Sequence, residues 1–565
     1  MSDQVTLGSR VRIPLHGRRV GGWVVADDVE APPGVTPKDL TGASGLGPPP
    51  PVLDLAVWAA WRWAGPVASF LGTASPGRVV RLGSLPGRPT PSEAPPSPGG
   101  GSVGLVEAAL AGGPDAAVIR LAPALDAGLL VLELVHQIGA DGVLVIAPSR
   151  SRAEQVVARL RAGRVPVTLL PDGWPAARRG GSVVVGTRAA AWAPMERLSA
   201  VVVLDAHDEA YREERSPTWS AVDVVAERGR RDGAPVLVVS PCPTVELTEG
   251  RRLVTTTTEV ERRGWPAIEL VDRRFDDPRT GLYSERLTDA ARAELARPGG
   301  RVVCILNRTG RVRVLACGSC GAVARCTGCG GAVARPEADG PLTCGRCGRE
   351  RPPVCATCDS ARLKSLRIGV SRATEELGAL FGQTATEITA STEVSGPVGP
   401  LVMGTEAALH RVDHAGLVVF LDIDQHLLAP RFGAGEETLA LLARAARLVG
   451  SRTGGGRILA QTRIPDHEAL RAAVAADPAM LSGPERDLRV TLGLPPFGAL
   501  AGLSGAAAGE YAERLRAAAG QLEISPLGED RFLVRAESHQ ALCDGLAVAE
   551  RPTGRLRIEV DTRDA

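Results

Sequence analysis

Eight of the eleven cysteines lie between Cys317 and Cys358 as four C-x-x-C pairs: Cys317/Cys320, Cys326/Cys329, Cys344/Cys347 and Cys355/Cys358. A C-x-x-C turn aims two sulfurs at one point, and two such turns complete the tetrahedral shell of a Zn²⁺ ion. Four turns make two closed four-cysteine sites. Closed sites are structural, because catalytic zinc keeps a position open for water. Disulfides, or a single redox C-x-x-C, are the competing readings. A chain of this size without a signal peptide is expected in the cytosol, where thiols stay reduced.

Spacing decides which pairs share a metal. Five residues separate Cys320 from Cys326, too few for the first two knuckles to fold onto one ion. Fourteen separate Cys329 from Cys344, enough for a hairpin that closes a ribbon. The expected pairing is nested and needs two Zn²⁺ per chain. Cys326, Cys329, Cys344 and Cys347 hold the inner ion; Cys317, Cys320, Cys355 and Cys358 hold the outer. Gly321, Gly330 and Gly348 directly follow three knuckles, where a turn with φ > 0 is wanted. From Arg301 to Arg372 there are 13 Lys/Arg against four Asp/Glu. Two zincs, each held by four thiolates, leave a net of roughly +5 by formal count. A small basic metal module suits nucleic acid or a protein-docking surface.

The elements that position this module follow from the rest of the chain. At 565 residues it holds three to five domains, and its net charge of +1 confines any nucleic-acid affinity to local patches. No apolar run approaches the length of a membrane helix. Cys242, Cys304 and Cys543 read as buried thiols. The only lysines are Lys38 and Lys364, and neither stands in G-x-x-x-x-G-K-[ST], so a standard P-loop ATPase is excluded.

Residues 1–84 open with alternating Val5, Leu7, Val11, Ile13 and Leu15, then Val20 and Val24, the pattern of short strands in a small barrel. Arg10, Arg12, Arg18 and Arg19 meet no acidic residue before Asp27, which suits phosphate contacts or a solvated strand face. Residues 53–71 form an apolar helix whose Trp58, Trp61 and Trp63 serve core packing. Residues 85–105 are a Pro/Gly-rich linker. Six apolar runs (AAVIRL, GVLVIAP, VPVTLLP, GSVVVGTR, AVVVLDAHD, APVLVVSP) give a parallel-sheet lobe over 106–262. A second set, from RVVCIL through KSLRIG, ATEIT, GPLVMGT and LVVFLDID to GRILAQT, gives another over 263–480, with the zinc insertion at 315–360. Residues 481–565 read as a small α+β domain. The fold class is therefore multidomain α/β with two RecA-like lobes.

At this point the ordered motifs resemble the primosomal replication-restart family PriA, also called primosomal protein N′. The opening GSRVRIPLHGRRVGGWV is similar to that family's DNA 3′-end-binding domain. GTRAAAWAP (residues 186–194) is similar to its GTRSA-type motif. His207-Asp208 with Tyr211, and Pro217 with Trp219, sit where it has an aromatic-rich loop. IGVSRATEEL, VMGTEAAL, LDIDQHLLAPRF, ILAQTRIPDH and LPPFG follow in the family's order. The resemblance implies an ATP-dependent 3′-to-5′ DNA helicase fold with the nested zinc pairing. It also implies forked or branched DNA as ligand. The implied protein partners are other primosome proteins, a replicative helicase or its loader, and single-stranded-DNA-binding protein, in a cytoplasmic, nucleoid-associated setting.

The departures matter as much. The family's winged-helix domain has no room here. Where the family has GVTGSGKTE the chain has LAPALDAGL, with Ala127 near the lysine position and Gly128 near the threonine. Asp205-Ala206-His207-Asp208 replaces D-E-x-H, and the arginine-finger motif is scrambled around Ala445, Arg447, Gly450 and Arg452. Each such loss removes orders of magnitude in phosphoryl-transfer rate. The expectation is a fork-binding restart scaffold that does not hydrolyse ATP. The alternatives are an active helicase with an unorthodox phosphate site, and a zinc-ribbon protein adaptor without a direct DNA role.

Overall fold

The computed structural model describes residues 5–563 except 16–17, 32, 35, 37–39, 41, 90–96, 98–101, 114–115, 277–280, 307–314, 329, 336–339, 345–346, 366–369, 393–397 and 529. Lys38 and Cys329 therefore lie outside the described residues. The chain divides into two compact units: Met1–Arg120, Asp126–Thr255 and Arg489–Thr562 in the first; Leu121–Leu125, Thr256–Leu488 and Arg563–Ala565 in the second.

The first unit is built on a seven-stranded, wholly parallel sheet. Its order is Arg252–Thr255, Ala117–Arg120, Val236–Ser240, Ala200–Leu204, Val143–Ile146, Val183–Gly186 and Val167–Leu169. The six apolar runs supply six of these strands. The seventh, Arg252–Thr255, is mostly exposed and carries no apolar run, so periodicity does not reveal it. The central strands are fully buried, which is why they read as continuous Val/Leu/Ile rather than alternating.

The opening segment contributes a three-stranded antiparallel sheet, Arg18–Trp23, Arg10–Leu15 and Gly42–Gly45, among the described residues. The helices Pro50–Arg62 and Val67–Ala74 follow it. Trp63 is buried and begins a file of rings through Phe70 and Trp192 to Trp219, with centroids 6.3, 5.6 and 5.7 Å apart. Gly65 is required there, since a Cβ would lie 2.5 Å from Pro217. The C-terminal part is a four-stranded antiparallel sheet with the helices Ala508–Ala518 and His539–Val548. It is locked to the opening helix by Arg62, which meets Asp561 at 2.9 Å, while Cys543 Sγ donates to the Arg62 carbonyl.

The second unit holds a six-stranded parallel sheet in the order Ala267–Asp272, Arg457–Thr462, Leu417–Phe420, Val302–Ile305, Leu401–Gly404 and Thr386–Ile388. One expectation is corrected. KSLRIG does not join this sheet: Leu363–Ser365 pairs antiparallel with Leu315–Cys317 at the base of the cysteine segment. A short apolar run reads alike in either setting, and only its partner strand decides. Cys242, Cys304 and Cys543 are buried thiols; burial pushes Cys304 up to about 12 and Cys543 to about 11. Among the described residues no helix is long and apolar enough to cross a membrane.

Candidate metal centre and nucleotide-site remnant

Each knuckle has a local amide on its first sulfur, from the residue two further on in three of them and from Cys347 itself in the third knuckle. Amides of Ser319, Gly328, Cys347 and Thr357 donate to the first sulfur of their pairs, at 3.3, 3.4, 3.5 and 3.3 Å. Such donors favour thiolate over thiol and orient the ligand. The chain then turns back with φ near +70° at Gly321, Gly330 and Gly348. The fourth knuckle has no glycine and uses Asp359 at φ 56°, a residue type that tolerates the left-handed region.

The sulfurs of Cys317, Cys320, Cys355 and Cys358 converge, each within 4.8 Å of the others. Those of Cys326, Cys344 and Cys347 form a second cluster; their expected fourth partner, Cys329, is outside the described residues. Cys317 to Cys358, Cys320 to Cys355 and Cys326 to Cys347 are each 3.6 Å apart. That is too long for a disulfide of about 2.05 Å. It is close to the ~3.8 Å edge of a tetrahedron with metal–sulfur bonds of about 2.3 Å. The sulfur donor set fits zinc, and the nested pairing holds for the seven cysteines described. The inner cluster sits on the short ladder Val333–Ala334, Leu342–Cys344 and Glu350–Arg351.

The residues expected to form the degenerate nucleotide site lie at the carboxyl ends of the first unit's strands, where open α/β sheets bind ligands. After the strand Ala117–Arg120 the helix Ala127–Ile138 begins, and its N-terminus would face a phosphate. Asp126 fills that role itself, accepting the Gly128 amide at 2.8 Å. Arg159 pairs with Asp126 and lies across the first turn; a Cβ on Gly128 would be 2.9 Å from Arg159 Cγ. Ala127 is buried. The residues Leu121–Leu125 belong to the second unit: Arg447 Nε donates to the Pro123 carbonyl at 3.3 Å, and the Ala124 amide to the Gly264 carbonyl at 3.1 Å.

Asp205 is buried at φ 54° and faces Arg152 at 3.6 Å, so a cation stands beside the first acid of the altered D-E-x-H motif. Ala206 is buried and offers neither base nor ligand. His207 Nδ1 and Ser240 Oγ are 2.9 Å apart. Tyr211 and Trp219, at the aromatic-rich loop positions, are buried: the Tyr211 hydroxyl donates to the carbonyls of Ile146 and Leu204. In the second unit, burial and then the Asp422 carboxylate push Asp424 up to about 7, although it accepts from Thr462 and the Arg463 amide. Asp126, Arg159 and Arg152 escape the sequence reading. An Asp directly before a helical run is an N-cap signature and was legible; the arginine partners were not.

The four opening arginines do not share a face. Register pairs Arg19 with Pro14 and Arg18 with Leu15, so Arg12 and Arg19 lie on one side with Arg10, and Arg18 on the other. Arg10 donates to the Pro76 carbonyl at 3.1 Å. Arg12, Arg18 and Arg19 are exposed.

No family model matches the chain. Two curated relatives, each the "Probable replication restart protein PriA" of Mycobacterium tuberculosis H37Rv and of Mycobacterium bovis, are 30% identical over 558 residues, covering 90% of this chain and 83% of theirs. This chain belongs to the replication restart protein PriA family. The PriA of Bacillus subtilis is 26% identical over 341 residues, 56% of this chain and 42% of its own. Among solved structures, the DUF1998 helicase MrfA bound to DNA and AMPPNP matches at 12% identity and a TM-score of 0.35, covering 68% of this chain and 54% of the other. This PriA-family chain holds two cysteine clusters and two parallel sheets, and the first turn of its helix Ala127–Ile138 is capped by Asp126.

Proposed function

We propose that this PriA-family chain is a replication-restart scaffold: it recognises forked or branched DNA and recruits restart factors without driving strand separation by ATP hydrolysis. The observation that carries this reading is Asp126, an anion already seated on the helix N-terminus where phosphate would bind and paired there with Arg159. Ala206 and the Arg152–Asp205 pair support it independently, because the first leaves no second acid and the other sets a cation beside the remaining one. The cysteine clusters would each hold a Zn²⁺ through thiolates, supplying a rigid module. Arg12 and Arg19, which share a face, would contact phosphates. The partners expected are primosome proteins, a replicative helicase or its loader, and single-stranded-DNA-binding protein, in a cytoplasmic, nucleoid-associated setting.

The resemblance carried by the ordered motifs implies the second reading, an ATP-dependent helicase. One experiment separates the two: fork binding by fluorescence anisotropy beside DNA-stimulated ATP hydrolysis on the same preparation. Fork binding without hydrolysis supports the scaffold. Turnover that tracks the protein through purification and vanishes in Asp205→Ala would refute it.

A further inference from the structure

The loop after the strand Ala267–Asp272 holds an aromatic ring in solvent. Phe275 is 89% exposed, and between residues 261 and 379 it is the only exposed large hydrophobic among those described. A single exposed apolar side chain is ordinary by itself. The way this one is held is not. Arg273 is buried and ties the loop at both ends, with Nε on Asp276 at 2.7 Å and its two terminal nitrogens on the carbonyls of Leu282 and Gly281, each at 3.0 Å. Its amide donates to the Thr462 carbonyl of the adjacent strand. The Arg274 guanidinium lies 5.7 Å from the Phe275 ring centre and is itself oriented by Asp272 at 2.7 Å and Asp466 at 3.2 Å. The loop also runs against the first zinc knuckle: a Cβ on Gly321 would sit 3.1 Å from the Arg274 carbonyl.

We propose that Phe275, flanked by Arg274, is a stacking platform for an unpaired base of single-stranded DNA. The inference rests on the DNA-binding reading above and adds a site to it. Every base offers a π-face, so an anchored, open ring with a cation at its side binds single strands without regard to sequence. Asp272 and Asp276 are neutralised by Arg274 and Arg273, and the adjoining segment 301–372 carries 13 Lys/Arg against four acids, so phosphates are not repelled. A protein-docking hot spot would stand inside an apolar patch; here the neighbours are arginines and carboxylates.

The test uses the zinc-loaded full chain with labelled short oligo-dT, a blunt duplex and a fork. Phe275→Ala should weaken oligo-dT binding roughly 5- to 150-fold, the range of one lost base–aromatic stack. The slope of log affinity against log salt should not change, because no phosphate contact is removed. Duplex affinity and melting temperature should stay at wild type, and Phe275→Trp should retain oligo-dT binding. If Phe275→Ala binds oligo-dT like wild type while fork binding is intact, the platform is refuted and a protein partner takes its place. If wild type binds none of the three DNAs, the DNA-binding reading falls together with it.

Discussion

Asp126 and Arg159 form an ion pair over the first turn of the helix Ala127–Ile138, and the same carboxylate caps the Gly128 amide. The pair is about half exposed, so its own Coulomb contribution is under roughly 1 kcal/mol. On the scaffold reading its consequence would be exclusion rather than stability. A nucleotide phosphate would meet a negative charge where it needs amide donors, and a guanidinium stem where it needs space.

ATP is therefore expected to leave the melting temperature unchanged. A nucleotide present at one hundred times its dissociation constant would add about 2.7 kcal/mol, and a stabilisation of that size in wild type would contradict the capped site. Ala127→Lys alone should not restore hydrolysis, because Arg152 still pairs with Asp205 and Ala206 still stands at the second acid position.

Purified chain should carry two zinc ions by elemental analysis; one or none defeats the nested scheme. Cys326→Ser should lower the content to one or less. Chelation should expose residues 315–365 to protease while leaving the melting of the first unit in place, since the metal is the folding free energy of a segment with so small an apolar core.

Because register puts Arg12 and Arg19 on one face, their joint replacement by alanine should weaken fork binding alike for different sequences. It should also flatten the salt slope by about 1.8, near 0.9 per phosphate contact. Arg18→Ala is expected to change less. A larger effect from Arg18 alone would assign the DNA to the opposite face.

Asp561→Asn should destabilise the first unit by about 3–5 kcal/mol at neutral pH, the range for removing one partner of a buried pair. Burial alone would raise this carboxyl, but Arg62, with His539 behind it, holds it well below the usual carboxylate range. With the folded pKa depressed, the stabilisation is present above the unfolded value near 3.9 and is lost as pH falls below it. Thermal melts of wild type and variant should thus converge in acid. A gap that persists there, or none at pH 7, would show that Asp561 does not stabilise through its charge.

Local chemistry was legible in the sequence. A C-x-x-C turn is a four-residue event, so spacing alone placed the knuckles, and the glycines after three of them announced the left-handed turn. Buried strands are short apolar runs, and six of the seven in the first sheet were readable for that reason. Two lysines among 565 residues, neither in a P-loop context, argue against a P-loop by themselves. What the tertiary structure decided was pairing at long range. Arg159 reaches Asp126 across 33 residues, Arg152 reaches Asp205 across 53, and Arg62 reaches Asp561 across 499. No local pattern names such partners, because a charged residue on a helix reads the same whether it meets solvent or a carboxylate. Hairpin register likewise sorted four clustered arginines onto two faces, since a strand alternates its side chains and only the partner strand fixes which face is shared.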